Sequence, residues 1–466
     1  MEGEAGMDQR ENGSTVAAIS TPFGRGGVAV IRISGPDAQK IAQKIFIPKT
    51  ALPDGSFPAR KALYGSILYD GAPIDDGLLT FFYAPASYTG EDCAEISCHG
   101  GAYLTAKVLE SALSAGAVPA EPGEFTKRAF LAGKISLTGA EAVIDLINAE
   151  NEEQLALAGA NSRGKLSRTL RGLCERLTAL LAQLYVVIDY PDEDLSDLSS
   201  EEFLSRLTDI ERDTRALYDS YKTGHAIVEG VKTAIVGKPN VGKSSLLNLL
   251  LGRDRAIVSP IAGTTRDTVE ESALCGRALL RLTDTAGLRK TEDAVEKMGV
   301  ERSLAALSEA ELILALFDLS SPASEDDLQL IGRLKSASVP VIVLLNKSDL
   351  PPLFDLSLVE GFDALSFSAL EKEPPKELFS KVEKLFFDDR LHTGDGGILT
   401  NARQASAVKK ALLSLEDALS VLRAGGEPGI AALDVETALS ALKETDGQSV
   451  GEDIVSEIFS RFCVGK

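Results

Sequence analysis

Tryptophan is absent from the 466-residue chain, and methionine, histidine and cysteine are scarce, with three, three and five residues. The cysteines are odd in number, scattered and never form a C-x-x-C pair; they are Cys93, Cys98, Cys174, Cys275 and Cys463. This usage excludes a disulfide-rich secreted scaffold and is typical of a reducing cytosol. Cys93, Cys98 and His99 lie close together, but three candidate ligands without a second cluster indicate small buried residues rather than a zinc site.

Positive charge is also in short supply. Lys and Arg total 48 against 69 Asp and Glu, which gives a net charge of −21. Because attraction to phosphates provides the sequence-independent part of nucleic-acid binding, this balance excludes a broadly basic RNA-binding protein. Any RNA contact needs a local basic patch, and the sequence alone does not reveal one.

Long apolar runs are missing too, so no segment has the length that a membrane span needs. The N-terminal stretch MEGEAGMDQRENGST is polar and acidic, unlike a signal peptide. We therefore expect a cytoplasmic protein without a membrane partner.

The chain is too long for a single core, and its patterns change along its length. Residues 1–135 combine short β-rich runs, such as VAVIRIS and CAEISCHGG, with a helical run near 101–115, which predicts an α/β domain. Residues 136–229 carry a leucine stripe with alternating spacings of four and three, and residues 387–466 carry another. These stripes predict the helices of one bundle that is split in the sequence.

Residues 230–386, between the two helical parts, alternate strands and helices. Four near-continuous apolar runs are strand candidates: KTAIVG, ALLRLTD, ELILALFD and PVIVLLNK. Such strands predict a mostly parallel sheet with helices on both faces. The predicted fold class is therefore α/β plus all-α, with an N-terminal α/β domain, a split helical domain and an α/β domain inserted into it, where the ends of the insert lie close together.

The stretch GKPNVGKSS, residues 237–245, has the G-x-x-x-x-G-K-S pattern between a strand and a helix. In such a loop, successive N–H groups and the helix N-terminus face a phosphate anion. Lys243 then reaches the β- and γ-phosphates, and Ser244 offers its hydroxyl to Mg²⁺. The stretch predicts a phosphate loop.

Two further stretches are suited to the γ-phosphate and its magnesium. AGTTRD (262–267) lies where a switch loop belongs, and its Thr265 is the expected second magnesium hydroxyl. DTAG (284–287) ends a strand candidate, so that Asp284 can hold a magnesium-bound water and the Gly287 N–H can meet the γ-phosphate.

NKSD (346–349) ends another strand candidate and predicts recognition of guanine. The Asp349 carboxylate can accept two hydrogen bonds that guanine donates and adenine cannot. SAL (368–370) is a weaker match to the loop that covers the base. The predicted GTP contacts are Asn240, Val241, Gly242, Lys243, Ser244, Ser245, Ser259, Pro260, Ile261, Ala262, Gly263, Thr264, Thr265, Asp284, Thr285, Ala286, Gly287, Asn346, Lys347, Asp349, Ser368, Ala369 and Leu370.

DTAG is followed by Leu288, where Ras-like switches carry a glutamine that orients the attacking water. One replacement is a carboxylate that positions the water through a second water. The acidic candidates are Glu292, Asp293 and Glu296. The second possible replacement for the glutamine is extra positive charge that stabilises the transition state. Arg289 could supply it, or a monovalent cation for which Asn240 offers an oxygen ligand.

With these loops, the stretches TPFGRGGVAVIRISG, YTGEDCAEISCHGG, PGEFTKRAFLAGKISL and IFSRFCVGK make the chain resemble the MnmE (TrmE) family of tRNA-modification GTPases from about residue 15 to 466. The resemblance implies an N-terminal tetrahydrofolate-binding and dimerisation domain, a helical domain and an inserted Ras-like G domain. It also implies that potassium replaces an arginine finger, with Asn240, Ser259, Ile261 and Thr264 as its ligands, and that Glu296 is the catalytic glutamate.

The resemblance further implies binding of 5-formyl- or 5,10-methylene-tetrahydrofolate. The matching residues are Arg32, Glu95, Lys134 and Lys466. An acid can hydrogen-bond the donor edge of the pterin, and basic groups can pair with its glutamate tail. Cys463 is either a nucleophile or part of the lining of the folate pocket.

The implied function is that of a homodimeric, potassium-activated GTPase working with the FAD-dependent partner MnmG, in a heterotetramer or larger complex. Together they add a (carboxymethyl)aminomethyl group to C5 of the wobble uridine of certain tRNAs. A regulatory or ribosome-assembly G protein acting as a binding switch is the alternative, disfavoured by the acidic balance, the folate-type motifs and the terminal FCVGK. A folate-handling enzyme with a vestigial G domain is disfavoured because every phosphate-contacting residue type is present.

Overall fold

The structure is a computed structural model that describes residues 13–52, 54–189, 200–253, 271–282, 310–371, 373–387, 397–426, 428–448 and 451–465. The chain divides into two units, Met1–Ile144 with Asp446–Lys466, and Asp145–Thr445. Within the described ranges, each helix is too short or too polar to cross a bilayer.

The first unit contains a seven-stranded sheet in the order β3-β4-β5-β6-β2-β1-β7. Its strands are β1 (Val16–Ile19), β2 (Val28–Ser34), β3 (Phe46–Pro48), β4 (Ala62–Tyr69), β5 (Ala72–Phe82), β6 (Cys93–His99) and β7 (Val118–Pro119). Neighbouring strands are antiparallel except β1 and β7, which pair in parallel. Side chains alternate between the two faces, so that Ile31 and Ile33 of β2 both enter the core.

Helices of the first unit cover that apolar face and form a second, smaller core. In α1 (Ala38–Ile45), the buried residues recur at helical spacing, and α2 (Ala102–Ser114) adds Val108 and Ala112 to the same core. The smaller core joins α4 (Leu137–Asn148) to α13 (Glu452–Ser460), with α3 (Glu124–Leu131) beside α13. It therefore ties the C-terminal helix of the unit to its N-terminal part.

The second unit contains a six-stranded sheet in the order β13-β12-β11-β8-β10-β9. Its strands are β8 (Val231–Val236), β9 (Glu271–Cys275), β10 (Ala278–Leu282), β11 (Leu312–Asp318), β12 (Val341–Asn346) and β13 (Asp363–Ser366). All pairings are parallel except that of β9 with β10. Every residue of β11 is buried, because alternate side chains enter separate cores on the two faces of the sheet.

Helices α8 (Lys243–Arg253) and α10 (Lys376–Phe386) line one of these cores, and α9 (Glu325–Leu334) lines the other. The remaining helices in the described part of the unit are α5 (Glu152–Ser162), α6 (Lys165–Asp189), α7 (Ser200–Val228), α11 (Ala402–Arg423) and α12 (Pro428–Thr445). The long helices α6, α7, α11 and α12 share one apolar core.

The leucine stripe is confirmed, since Leu166, Leu170, Leu173, Leu177, Leu180 and Leu184 of α6 all enter the bundle core. The four predicted strands of the inserted region are confirmed as β8, β10, β11 and β12. The edge strands β9 and β13 were not predicted, because short edge strands lack the continuous apolar pattern; in β13 only Leu365 is buried.

The segments that lead into and out of the sheet region of the second unit both contact the helices α5 and α7. Thr223 Oγ1 of α7 donates a hydrogen bond to the Phe386 carbonyl at the end of α10, at 3.1 Å. Gln154 Nε2 of α5 donates to the Ile227 carbonyl at 2.9 Å, just before β8. Gly224 lies so close to the Leu399 carbonyl that no Cβ atom would fit there. The bundle and the sheet therefore share buried hydrogen bonds at the junction.

His225, near the end of α7, adds an ionic contact to this junction. Its Nε2 lies 2.9 Å from Glu311 Oε1, and its Nδ1 lies 3.3 Å from Glu229 Oε2. Glu311 also accepts the Lys232 N–H of β8 at 3.0 Å. Hydrogen bonding to Glu229 and, to a smaller extent, to Glu311 raises the pKa of His225 to about 9, although burial acts in the opposite direction. The imidazole is therefore protonated at neutral pH.

We expect the stability of the second unit to depend on this proton. The stabilisation is complete below the ordinary histidine pKa of 6.5 and is lost as the pH rises through about 9, because the folded state binds the proton more tightly than the unfolded chain does. Such a shift corresponds to roughly 3 kcal/mol. The thermal midpoint should therefore fall over this pH range in the wild type and fall less in His225→Gln. His99→Gln, which changes an exposed histidine of the first unit, should follow the wild type; equal slopes for wild type and His225→Gln would contradict the role of this cluster.

Candidate functional sites

The connection between β8 and α8 has the backbone geometry of a phosphate loop. Gly237, Asn240 and Gly242 have φ angles of 153°, 60° and 106°. Glycine adopts such angles without strain, and asparagine tolerates the left-handed region better than most residues. A Cβ atom on Gly242 would overlap the side-chain amide of Asn346. Because α8 begins at Lys243, the N–H groups of its first turn are oriented toward an anion in front of the loop.

Lys243 is held inside this loop. Its Nζ donates to the carbonyl of Gly237 at 2.6 Å and to the carbonyl of Lys238 at 2.8 Å. An ammonium group has three N–H donors, so one donor is left for a phosphate. Burial lowers the pKa of Lys243, and a bound phosphate would favour the charged form. The adjacent Ser244 is exposed at the start of α8, where its hydroxyl oxygen suits a magnesium ion.

Asn346, at the end of β12, connects the phosphate loop to the predicted base-binding stretches. Its Nδ2 donates to the Val241 carbonyl at 2.7 Å. Its Oδ1 accepts the N–H of Lys347 at 2.8 Å and the N–H of Ala369 at 2.9 Å. This one side chain therefore brings GKPNVGKSS, NKSD and SAL together.

The charged side chains of NKSD are held by Asp318, the last residue of β11, and by Ser368, which follows β13. Lys347 Nζ lies 2.6 Å from Asp318 Oδ2, and Asp318 is paired with Asn346 in the parallel register of β11 and β12. Asp349 is exposed, and its Oδ1 accepts a hydrogen bond from Ser368 Oγ. The carboxylate is thus oriented before any base is bound.

The predicted GTP contacts fall into two groups. The structure brings the residues of the phosphate loop together with Asn346, Lys347, Asp349, Ser368 and Ala369, while Leu370 next to them is 83% exposed. The other predicted contacts and catalytic residues lie outside the described residues: Ser259, Pro260, Ile261, Ala262, Gly263, Thr264, Thr265, Asp284, Thr285, Ala286, Gly287, Arg289 and Glu296.

Asp318 is a site residue that the sequence analysis missed. It is the last residue of the apolar run ELILALFD, and β12 ends at Asn346 directly beside it. Parallel strands end at the same edge of a sheet, so a carboxylate closing one strand next to a strand that ends in NKSD was a usable signal.

In the first unit, Arg32 and Glu95 form a second candidate site. They are partners in the antiparallel register of β2 and β6, and the Arg32 Nε and an η-nitrogen lie 3.0 and 2.9 Å from Glu95 Oε1. The rings of Tyr88 and Phe125, which the sequence analysis did not single out, have their centroids 5.4 Å from the Arg32 guanidinium carbon. A carboxylate, a guanidinium and two aromatic rings suit a flat heterocycle that has a polar edge.

Lys134 contacts the same region of the first unit. Its Nζ donates at 2.7 Å to the carbonyl of Pro85, in the β5–β6 loop that also carries Tyr88. The C-terminal segment of the same unit pairs with the stretch before α3, since Val464 pairs with Pro122 and the Gly123 N–H donates to the Cys463 carbonyl at 3.4 Å. The remaining predicted residue, Lys466, lies outside the described residues.

The cysteines near His99 do not converge. Cys93 and Cys98 are both buried in β6 but stand an odd number of residues apart, so they occupy opposite faces of the strand. Burial raises the pKa of the Cys93 thiol to about 12, which disfavours a thiolate ligand. Across the described parts of the chain, no group of three or more His, Cys, Asp or Glu side chains is arranged for a metal. Cys463, in contrast, is an exposed thiol.

A parallel sheet with a phosphate loop after one strand and an Asn-Lys-x-Asp stretch after another defines a P-loop GTPase domain. The sequence family described as the MnmE helical domain matches residues 137–463, and the one described as the GTP-binding protein TrmE N-terminus matches residues 15–134. The chain therefore belongs to the MnmE (TrmE) family of tRNA modification GTPases. It is a GTP hydrolase that takes part in tRNA modification.

Similar proteins agree with this assignment. The chain is 41% identical over 456 residues to the tRNA modification GTPase MnmE of Clostridioides difficile, covering 97% of this chain and 99% of that one. It is also 41% identical over 466 residues to the MnmE of Heliobacterium modesticaldum, covering 97% and 100%. Among solved structures, Aquifex aeolicus Era bound to GDP and aluminium fluoride is 29% identical to this chain. The match covers 40% of this chain and 66% of the Era chain, and its TM-score of 0.27 adds nothing to the assignment.

We expect Asp349→Asn to weaken GTP binding by at least about 100-fold, because two hydrogen bonds to a charged group are each worth about 1.5–3 kcal/mol. The amide should instead favour xanthosine triphosphate, whose carbonyl accepts a hydrogen bond where guanine donates one. Isothermal titration of each nucleotide into each variant measures the change. Asp355→Asn, which alters an exposed carboxylate capping the 3₁₀ turn Leu356–Val359 of the same domain, should leave both affinities unchanged. An Asp349→Asn variant that still prefers GTP would remove Asp349 from base recognition.

Proposed function

We propose that this protein is a potassium-activated GTPase that acts as a homodimer. With the FAD-dependent partner MnmG, in a heterotetramer or larger complex, it adds a (carboxymethyl)aminomethyl group to C5 of the wobble uridine of certain tRNAs. Tetrahydrofolate supplies the one-carbon unit, and the complex works in the cytoplasm. The observation that carries the proposal is the combination of a complete phosphate loop with Leu288 in place of a catalytic glutamine.

The domain division that goes with this function is also a proposal. Residues 1–135 bind folate and form the dimer, residues 136–229 and 387–466 form the helical domain, and residues 230–386 form the G domain. Membership of the family, with relatives covered almost from end to end, supports this division.

Magnesium, in this proposal, is bound by the hydroxyls of Ser244 and Thr265, and Asp284 holds one of its water ligands. The exposed Ser244 next to the Lys243 ammonium fits that role. When bound, the ion neutralises charge on the β- and γ-phosphates. Lys243 shares this task through its remaining N–H donor.

Potassium is bound by Asn240, Ser259, Ile261 and Thr264, with Ile261 contributing its main-chain carbonyl. Asn240 is exposed in the phosphate loop, and its φ of 60° is a conformation that asparagine tolerates. The ion supplies the positive charge of a missing arginine finger at the transition state. Glu296 positions the attacking water, Arg289 adds charge nearby, and pairing of two G domains stabilises the cation site.

The direct test is steady-state GTP hydrolysis in matched KCl and NaCl. We expect a rate at least about tenfold higher in KCl, because electrostatic stabilisation of the transition state is worth several kcal/mol. Asn240→Gly should lose this potassium effect, and glycine is chosen because alanine would be strained at a φ of 60°.

Asn248→Ala, on the exposed side of α8, should keep the potassium effect. Equal slow rates of the wild type in both salts would refute potassium activation and leave GTP binding untouched. Such a result would favour a switch that waits for an activating partner.

In the proposed folate site, Glu95 accepts hydrogen bonds from the pterin edge, and Arg32, Lys134 and Lys466 pair with its acidic tail. The Arg32–Glu95 pair beside Tyr88 and Phe125 supports this placement, because it joins charge to aromatic faces. Cys463 is exposed in the docked C-terminal segment, where it either lines this pocket or acts as a nucleophile.

Arg32→Gln should weaken binding of 5-formyl-tetrahydrofolate by about 10-fold or more, since it removes a charge-assisted contact and leaves Glu95 without its partner. Isothermal titration measures this, and GTP affinity should stay unchanged. Arg461→Gln, which alters an exposed arginine of the same unit, is the matched control. If Arg32→Gln bound folate as tightly as the wild type does, the folate site would not include Arg32.

A further inference from the structure

The phosphate loop has a second anchor besides Asn346. Lys238, the residue after the first glycine of the loop, extends its side chain away from the loop to the first turn of α9. There its Nζ lies 2.7 Å from Asp327 Oδ2. The Asp327 side chain is 1% exposed and that of Lys238 is 21% exposed. This is a largely buried ion pair between the loop and a helix that contributes no predicted GTP contact.

Hydrogen bonds at the start of α9 orient the Asp327 carboxylate. The same Oδ2 accepts the Ser324 N–H at 2.9 Å and the Ser324 Oγ at 2.7 Å, while Ser324 Oγ accepts the Asp327 N–H at 3.3 Å. This capping box fixes the carboxylate at the helix start. Burial alone would raise the pKa of Asp327, but Lys238 and Ser324 hold it below its ordinary value. The carboxylate is therefore an ionised acceptor whose Oδ2 is shared by Ser324 and Lys238.

The main chain of Lys238 leads back to the phosphate site. Its carbonyl accepts one hydrogen bond from Lys243 Nζ, at 2.8 Å. The position of that carbonyl, and hence the direction of the remaining Lys243 donor, depends on where residue 238 is held. Asn346 holds the far end of the loop at Val241, so the Lys238 ion pair anchors the near end.

We propose that Asp327 is a positioning residue for nucleotide binding. Through Lys238, it holds the start of the phosphate loop so that Lys243 faces the nucleotide phosphates. The proposal rests on the GTP-binding function and adds a residue outside the nucleotide motifs. Asp327 does not touch the nucleotide; its effect passes through the backbone of residues 237–238.

The competing interpretation is an ion pair that only stabilises the fold. Removing one partner leaves a buried charge uncompensated, which destabilises, whereas removing both is often nearly neutral for stability. The double variant Lys238→Met/Asp327→Asn therefore separates the two interpretations. A purely structural pair predicts that the double variant regains both stability and affinity, and a positioning pair predicts that it regains stability alone.

The experiment uses the full-length protein with Mg²⁺ and KCl. It measures the affinity and dissociation rate of N-methylanthraniloyl-GDP, together with the thermal midpoint without nucleotide. Asp327→Asn and Lys238→Met should each weaken binding by about tenfold or more, as is typical when a group that orients a ligand-binding residue is lost. The double variant should recover the wild-type midpoint but remain as weak in binding as the single variants. Lys238→Arg, which can reach the same carboxylate, should bind nearly as the wild type does.

Ser324→Ala is the matched control, because it removes the hydroxyl from the cap of α9 but keeps both the main-chain N–H of residue 324 that donates to Asp327 Oδ2 and the ion pair with Lys238. It should lower the thermal midpoint and change nucleotide affinity less than twofold. The proposal is overturned if Asp327→Asn binds as the wild type does, if the double variant recovers affinity, or if Ser324→Ala loses as much affinity as Asp327→Asn. A wild type that fails to bind the GDP analogue at all would instead refute the GTP-binding function, so the two failures are distinguishable.

Discussion

The buried side-chain amide of Asn346 is the interaction on which the nucleotide site depends. It is 2% exposed and joins three loops, through the Val241 carbonyl on one side and the N–H groups of Lys347 and Ala369 on the other. Each of these backbone groups, left unpaired and buried, would cost about 1–3 kcal/mol. Gly242 must lack a side chain because the amide occupies that space. The phosphate loop and the base-binding loops therefore form one connected structure.

The phosphate loop is held in an unusual backbone conformation by contacts at both ends. Asn240 lies in the left-handed region, and a regular helix begins only at Lys243. Strained segments persist only where surrounding contacts determine them. Asn346 provides one such contact and the Lys238–Asp327 pair the other, so β12 and α9 together define the shape in which the loop meets phosphate. The junction with the bundle is reinforced likewise, by Thr223, Gln154 and the His225 cluster.

Several features could be predicted from local sequence because their physical cause is local. A leucine every three or four residues gives one apolar side to α6, and an unbroken apolar run can only be buried on both sides, as β11 is. The phosphate loop is a single continuous stretch with glycines where the backbone needs them. Asp327, Tyr88 and Phe125 were not predicted, because each is recognised only by a partner distant in sequence, which is Lys238 for Asp327 and Arg32 for the two rings. The short edge strand β13 was missed because only one of its residues is buried.

The sequence by itself determined the class of domain, the split of the helical region and the family, since motifs and periodicities need only neighbouring residues. Only the tertiary structure decided which side chains meet. It paired Arg32 with Glu95 through strand register, and it separated Cys93 from Cys98 onto opposite faces of β6. It also brought the carboxylate of Asp327 to the phosphate loop. The reason is physical: the energy of an ion pair or a buried hydrogen bond depends on distance and burial, and both arise only when separate segments pack together.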